Sequence, residues 1–555
     1  MPRATTLLRL CLCGALLSAA PVLAQQSEDL RSILPKPTDP VGRDRDTDAS
    51  APELVRSSSA SADNASANDA ATPSVRIGSV LVETSAAVDH AMFETAIERF
   101  LGKDATSQEL ARLAQEIAEV ARTRGMVLAS AYVPRQQVEL GIVKIILQTG
   151  AIDEVRIEGS ANRALRELLD PLVGTTIMRD ELERRLMLAN NIPQIAVDRT
   201  ELLVEGNRQV LLVKVKERRK LRGSLVADNY GSNNIGPYRA RLGVTGVAVF
   251  DASDSANVTF RTNPADPEEL AAASVSYNLG LDDNGTRAEL SAGWSASEIA
   301  ARGLRPRREA RSQYAALSIT HPLRRSRTTN LWLDGEFEYL KVEQESLNAL
   351  LQSDTVVTLS VGVSSSVKVG KGWLRAGVQL RQGLDMLASN RSGDPLSSRR
   401  DADGQFTMGR FWTNWSGKVA GDMTMRVAVT GQIASEPLLS SEELGVGGAY
   451  SGRGFDFFER SGDQGVLAMA ELGYQFDKPL RGIKRLQPYV FLDGGYVHNL
   501  RSGFGGGSLM SAGGGLRGDV GPVEFQLEAA VPIHDAGAGT APDDTKVNFQ
   551  LGVEF

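Results

Sequence analysis

From Leu221 to the terminal Phe555 the chain alternates polar and apolar residues with a period of two, and the connections between these segments alternate in length. Met423, Met425, Val427, Val429 and Ile433 share one face of a strand, while Thr424, Arg426, Thr430 and Gln432 take the other. At the end, Val547, Phe549, Leu551, Val553 and Phe555 alternate with Lys546, Asn548, Gln550 and Glu554. Alternation alone suits any sheet with one apolar face. The connections narrow the choice. Asp251–Asp254, Asp282–Gly285, Val369–Gly372, Lys418–Asp422 and Gly518–Pro522 are tight turns; Ala296–Glu309, Gln344–Asp354, Met386–Gly404, Ser435–Asp463 and Pro532–Thr545 are long polar excursions. Short turns alternating with long loops mark a transmembrane antiparallel β-barrel of the outer-membrane type. The segments count to sixteen strands, an even number that brings the chain back to its starting side. Each strand and connection takes roughly 21 residues, against strands of about 10. Trp332, Trp373, Trp412 and Trp415 fall near tight turns and Trp294 near a long loop, which places them in the two interfacial belts.

The start of the chain fits export. Arg3 and Arg9 precede an apolar run from Leu7 to Leu23, and Val22-Leu23-Ala24 offers a cleavage site, so residues 1–24 read as a signal peptide. Both cysteines, Cys11 and Cys13, lie inside it, and bulky Leu12 argues against lipidation at Cys13. The mature chain then holds no disulfide. Net charge is -7 and loss of the signal makes it more negative, which argues against nucleic acid as a partner. Four His leave little for a metal or a His-based catalytic group. No stretch after the signal has the 18 consecutive apolar residues of a membrane helix.

Residues 25–74 form a low-complexity linker, with one possible short helix at 27–34 stopped by Pro35 and Pro37. Residues 75–150 read β-α-α-β-β, with a capping box at Thr106 and Glu109 ahead of the apolar face Leu110, Leu113, Ile117 and Val120. Residues 151–219 repeat that order without repeating the residues. Two α+β modules of this length suit small domains.

The glycine-rich stretch Gly445–Asp456 lies between the eleventh and twelfth strands and carries a single cation, Arg453, between Gly452 and Gly454. The thirteenth strand contains Phe491-Leu492-Asp493-Gly494-Gly495. An unpaired aspartate facing lipid is costly, so Asp493 faces the lumen. A loop folding inward pairs Arg453 with Asp493, and Gly454 lets its backbone pass close to the wall.

With these residues together, the chain resembles the two-partner-secretion outer-membrane transporters (TpsB family). The segment Arg124–Pro134, followed by Gln136 and Gly141, resembles the first of that family's two POTRA modules. Arg453-Gly454-Phe455 resembles its loop motif, Phe491, Asp493 and Gly495 resemble the barrel-wall counterpart, and Glu471 a recurrent lumenal glutamate. The family has an aliphatic residue before the arginine; Gly452 here makes the tip more mobile. The resemblance implies an outer-membrane pore, with its POTRA modules in the periplasm, that secretes one large unfolded β-helical exoprotein. It implies that an amino-terminal helix plugs the resting pore, with 27–34 as candidate, and the linker 38–74 reaches roughly 35 Å as a coil. The exoprotein's amino-terminal region would add to POTRA sheet edges, with Val127–Val133, Ile142–Leu147 and Val210–Val215 as candidates. Phe555 would be read by the barrel-insertion machinery. The implied cofactor set is empty, and no nucleotide motif or catalytic set is present, so an enzyme is not expected. The alternative is a barrel-assembly factor of the same superfamily, whose members more often carry one, three or five POTRA modules. Five arginines between Arg302 and Arg311 read as a solvated loop, and His534-Asp535 as a neighbouring pair without a nucleophile motif.

Overall fold

The computed structural model describes residues 54–56, 74–84, 88–299, 307–536 and 544–555, apart from Glu139, Asn207, Asn234, Arg481 and Ser502. The signal peptide, the candidate plug helix 27–34, and Arg302 and Arg305 lie outside the described residues. The chain divides into two compact units, one holding the α+β modules and one the barrel.

The first module is a three-stranded sheet with Ile142–Gln148 in the middle, parallel to Ser79–Glu83 and antiparallel to Ser130–Tyr132. Its helix Ser107–Thr123 opens with the anticipated capping box: Glu109 N–H donates to the Thr106 hydroxyl, and the Thr106 N–H donates to the Glu109 carboxylate. The Thr106 backbone N–H, then its hydroxyl, hold the Glu109 carboxyl below the usual carboxylate range. Leu113, Ile117 and Phe93 pack on Val143 and Ile145. Thr106→Ala is expected to weaken this helix start by about 1 kcal/mol, seen as faster hydrogen exchange at the first-turn amides.

In the second module Arg208–Glu217 is central, between Glu154–Glu158 and Ile195–Glu205, and the outer side of Ile195–Glu205 pairs with Leu54–Arg56. Two of the three expected docking edges are therefore interior strands: Ile142–Leu147 and Val210–Val215 have both sides paired. In Val210–Val215 the near-continuous apolar run reflects burial on both faces, whereas Ile142–Leu147 still alternates, with Val143, Ile145 and Leu147 buried and Ile142 exposed. Of the three, only Ser130–Tyr132 within Val127–Val133 is an edge.

The barrel closes with sixteen strands, the twelfth being broken at Gln475 into Gln464–Tyr474 and Phe476–Leu480, which both pair with Ile483–His498. Strand one, Leu221–Asp228, pairs with strand sixteen, Lys546–Glu554. Phe555 extends that seam by exchanging backbone hydrogen bonds with Gly223 at 2.8 and 2.9 Å. Its ring lies where a side chain at Gly223 would be, 2.2 Å from that Cβ position. Large apolar residues such as Phe260, Leu290, Val378, Ile433 and Leu551 face outward and are exposed.

Two expectations change. The excursion Gln344–Asp354 is a tight hairpin between Thr329–Ser346 and Ala349–Val369, turning on Leu347 and Asn348 with φ of 51° and 61°. Both positions adopt the left-handed conformation without a glycine to announce it. The tryptophans also divide differently. Trp294 shares the exposed parity of Leu290 and Trp415 that of Phe411, but Trp332 is buried, and both Trp332 and Trp412 line the lumen. Trp373 shares the inward parity of Arg375 and Gln379. Proximity to a turn gave the depth of these rings; strand parity decides the side.

Candidate functional site

The loop between the eleventh strand, Met423–Ala434, and the twelfth folds into the lumen. Its stem is a small ribbon in which Leu444–Val446 pairs with Arg460–Gly462. Gly452 sits at the tip with φ 73°, in the left-handed region open to glycine at little cost, and its N–H donates to Asp493 Oδ1 at 2.9 Å. The expected soft point is thus a held turn. An aliphatic residue would be strained there.

Arg453 is 4 % exposed. Its Nε donates to Asp493 Oδ2 at 2.5 Å, its Nη1 to Glu528 Oε2 at 3.1 Å, and Nη1 lies 3.5 Å from Glu471 Oε2. The guanidinium stacks 3.5 Å above the Phe491 ring. Asp493, 3 % exposed, also accepts the Arg453 N–H at 3.2 Å and the Ser511 hydroxyl. Gly454 runs against the wall: a Cβ there would lie 2.9 Å from Pro532 N and 3.1 Å from Ser511 Cβ. Phe455 is fully buried with Val446, Val497 and Leu509. Gly495 leaves the room that Leu467 fills, since its Cβ would meet Leu467 Cδ2 at 2.5 Å. The structure thus brings together all seven anticipated residues, Arg453, Gly454, Phe455, Glu471, Phe491, Asp493 and Gly495.

Others were not anticipated. Glu528, on strand fifteen, accepts from Arg453, from Tyr489 at 2.9 Å and from Tyr230 at 3.0 Å. From strand sixteen Asn548 donates to Arg453 O, and Lys546 to Phe455 O and Asp456. Tyr489 shares the face of Asp493, and Glu528 the polar face of Gln526, so alternation marks both as lumenal without naming their partner.

A second anchor holds the base of the same loop. Glu442 pairs with Arg381 of strand nine at 2.9 Å and lies 3.6 Å from Arg410 of strand ten. Arg381 also pairs with Glu338 at 2.9 Å and approaches Glu336 at 3.8 Å. All four side chains of the Arg381 cluster are almost fully buried. On the other side of the stem, Asp463 accepts from Arg399 and from the N–H groups of Leu438 and Leu500. The neighbouring pair His534-Asp535 does not act as a unit: His534 meets Ser508, and Asp535 takes Arg460 at 2.8 Å.

A closed sixteen-stranded barrel with an arginine-tipped loop folded against its inner wall, in a chain that also carries α+β modules, has the architecture of the outer-membrane transport and assembly proteins. The chain belongs to the haemolysin secretion/activation protein ShlB/FhaC/HecB family, whose model matches residues 207–518, while the ShlB-type POTRA domain matches residues 75–150. Among similar proteins, the heme/hemopexin transporter protein HuxB of Haemophilus influenzae strain 86-028NP is 23% identical over 465 residues, covering 79% of this chain and 80% of the relative. The outer membrane transporter CdiB of Escherichia coli strain 536 is 23% identical over 451 residues, covering 78% and 74%. Among solved structures, CdiB from Escherichia coli has a TM-score of 0.77 at 19% identity, covering 96% of this chain and 98% of the other. CdiB from Acinetobacter baumannii has a TM-score of 0.68 at 16% identity, covering 97% and 99%. The protein is a two-partner-secretion pore of the outer membrane that serves a cognate secreted exoprotein, and membership of a secretion family sets aside the barrel-assembly alternative.

Proposed function

We propose that the Arg453 loop is a fixed element of the conducting path, set in the lumen by Asp493, Glu471 and Glu528 and seated by Phe455, and that its placement is what secretion requires. The observation that carries this reading is the burial of one guanidinium among three carboxylates. Such a cluster has no role in closing a barrel already sealed by strand hydrogen bonds. The exoprotein's amino-terminal region docks in the periplasm on the modules 75–150 and 151–219, by strand addition. Among the described residues, Ser130–Tyr132 and Ser79–Glu83 are the two edges of their sheet and the sides on which a strand could add. Phe555, at the exposed end of the seam, is read by the insertion machinery. The chain does no covalent chemistry.

Deleting the gene tests the transport reading. Loss of one large secreted protein, with other outer-membrane barrels at normal abundance, is the expected result. A general loss of barrels would instead support an assembly role.

A further inference from the structure

The arginine clusters described so far in the lumen have their carboxylates, Asp493 for Arg453 and Glu338 and Glu442 for Arg381, and Arg517 of strand fourteen likewise pairs with Glu471. Arg241 and Arg261 are different. They sit directly opposite each other on strand two, Arg239–Val247, and strand three, Ser255–Thr262. Their strand neighbours Leu242 and Phe260 are exposed on the outer face, so both arginines point inward, where they line the lumenal cavity of ≈ 530 Å³. Val226 lies directly across from Arg241 on strand one, and Ala272 across from Arg261 on strand four, so no carboxylate is in register with either; Asp228 of strand one is near enough to act on Arg261, as are the like charges of Arg239 and Arg241. The nearby Asp228 pairs with Arg239 at 2.8 Å. Among the described residues neither guanidinium has an ion-pair or side-chain hydrogen-bond partner. Like charges directly opposite across a strand pair are destabilising, and an anion between the two relieves that repulsion, a planar carboxylate matching the guanidinium fork.

We propose that Arg241 and Arg261 form an anion site in the lumen that takes the carboxylate side chains of the passing polypeptide. The cavity wall also carries Tyr450 from the tip of the inward loop, so a chain moving past the loop meets this pair. The assignment to a passing chain rests on the secretion reading; the affinity for anions does not.

Purified full-length protein and the Arg241→Gln/Arg261→Gln variant are compared in planar bilayers under a potassium chloride gradient. The test is repeated with potassium glutamate, and heat-modifiable mobility confirms that both barrels are folded. The expected result is a fall in anion-to-cation permeability of about twofold or more in the variant. Trp332 and Trp412 line the same cavity, so quenching by iodide should fall while quenching by neutral acrylamide holds. Unchanged reversal potential and unchanged iodide quenching would overturn the site. A permeability shift with wild-type secretion of the exoprotein would overturn the assignment to the passing chain and leave a small-ion site.

Discussion

Arg453→Ala is expected to give a barrel that inserts and stays heat-modifiable but secretes at least about tenfold less exoprotein. The effect follows from what the substitution leaves behind. Asp493 and Glu528 have fully buried side chains and Glu471 nearly so. Removing the cation from such a cluster costs about 3–5 kcal/mol, far more than the 0–1 kcal/mol of an exposed pair. The loop can relieve this by leaving the lumen, because water then reaches the carboxylates. The barrel cannot unfold as cheaply, since its strands keep their hydrogen bonds all round. Arg453→Lys should recover little: an ammonium cannot reproduce contacts from Nε and Nη1 to different carboxylates, nor the flat stacking on Phe491. Immunoblotting of culture supernatant against outer-membrane content measures both variants, and secretion by Arg453→Ala at the wild-type level would remove the loop from the mechanism.

The second large effect is expected at Arg381. Arg381→Ala strands Glu336, Glu338 and Glu442 in a buried place with one cation fewer, again about 3–5 kcal/mol. Arg410 still lies near Glu442, and Gln432 Nε2 still donates to Glu442 O at 3.0 Å, so the loop base loosens without full release. Glu442→Gln should be milder, because it removes one of the three carboxylates and keeps its size. The two anchors hold one loop at two points on the wall, so they should not act independently. A double-mutant cycle on single-channel conductance checks this. Arg381→Ala combined with Arg453→Ala should open the pore more than the product of the single effects. Multiplicative effects would mean that the base and the tip are uncoupled.

The difference between these two anchors also shows what the sequence could and could not reveal. Strand count, parity and the inward position of Asp493 follow from a period of two, which survives without any knowledge of neighbours. Arg453 and Asp493 stand out because a lone cation in a glycine loop and a lone aspartate in an apolar strand each need a partner. Glu442 does not stand out: it sits in a polar run, Ser440-Ser441-Glu442-Glu443, and its partner is 61 residues away on strand nine. Glu528 is marked as lumenal by alternation, but its partner Arg453 lies 75 residues away in the loop. Nothing local announces the Leu347–Asn348 hairpin, because two non-glycine residues take a conformation usually flagged by glycine. The interior position of Val210–Val215 depends on the order of strands in a sheet, which local pattern does not carry. Trp332 lies at interfacial depth but on the lumenal side, a choice set by a one-residue change of parity.

The central claim, that the Arg453 loop is held inside the barrel against strand fourteen, can be tested by one crosslink. Both cysteines lie within the first 13 residues, so a chain cleaved after residue 24, as the sequence leads one to expect, or one with both replaced by Ser, is a clean background. A Cβ at Gly454 lies 3.1 Å from Ser511 Cβ, close to the roughly 3.5–4.5 Å of a disulfide. In Gly454→Cys/Ser511→Cys, mild oxidation of outer membranes should form the bond, read as protection of both thiols from a maleimide–polyethylene glycol reagent after denaturation and as renewed labelling after reduction. Because a Cβ at Gly454 crowds Pro532 N, the Gly454→Cys single variant must first secrete at the wild-type level; two freely labelled thiols in a folded double variant would then place the loop outside the lumen and contradict the account.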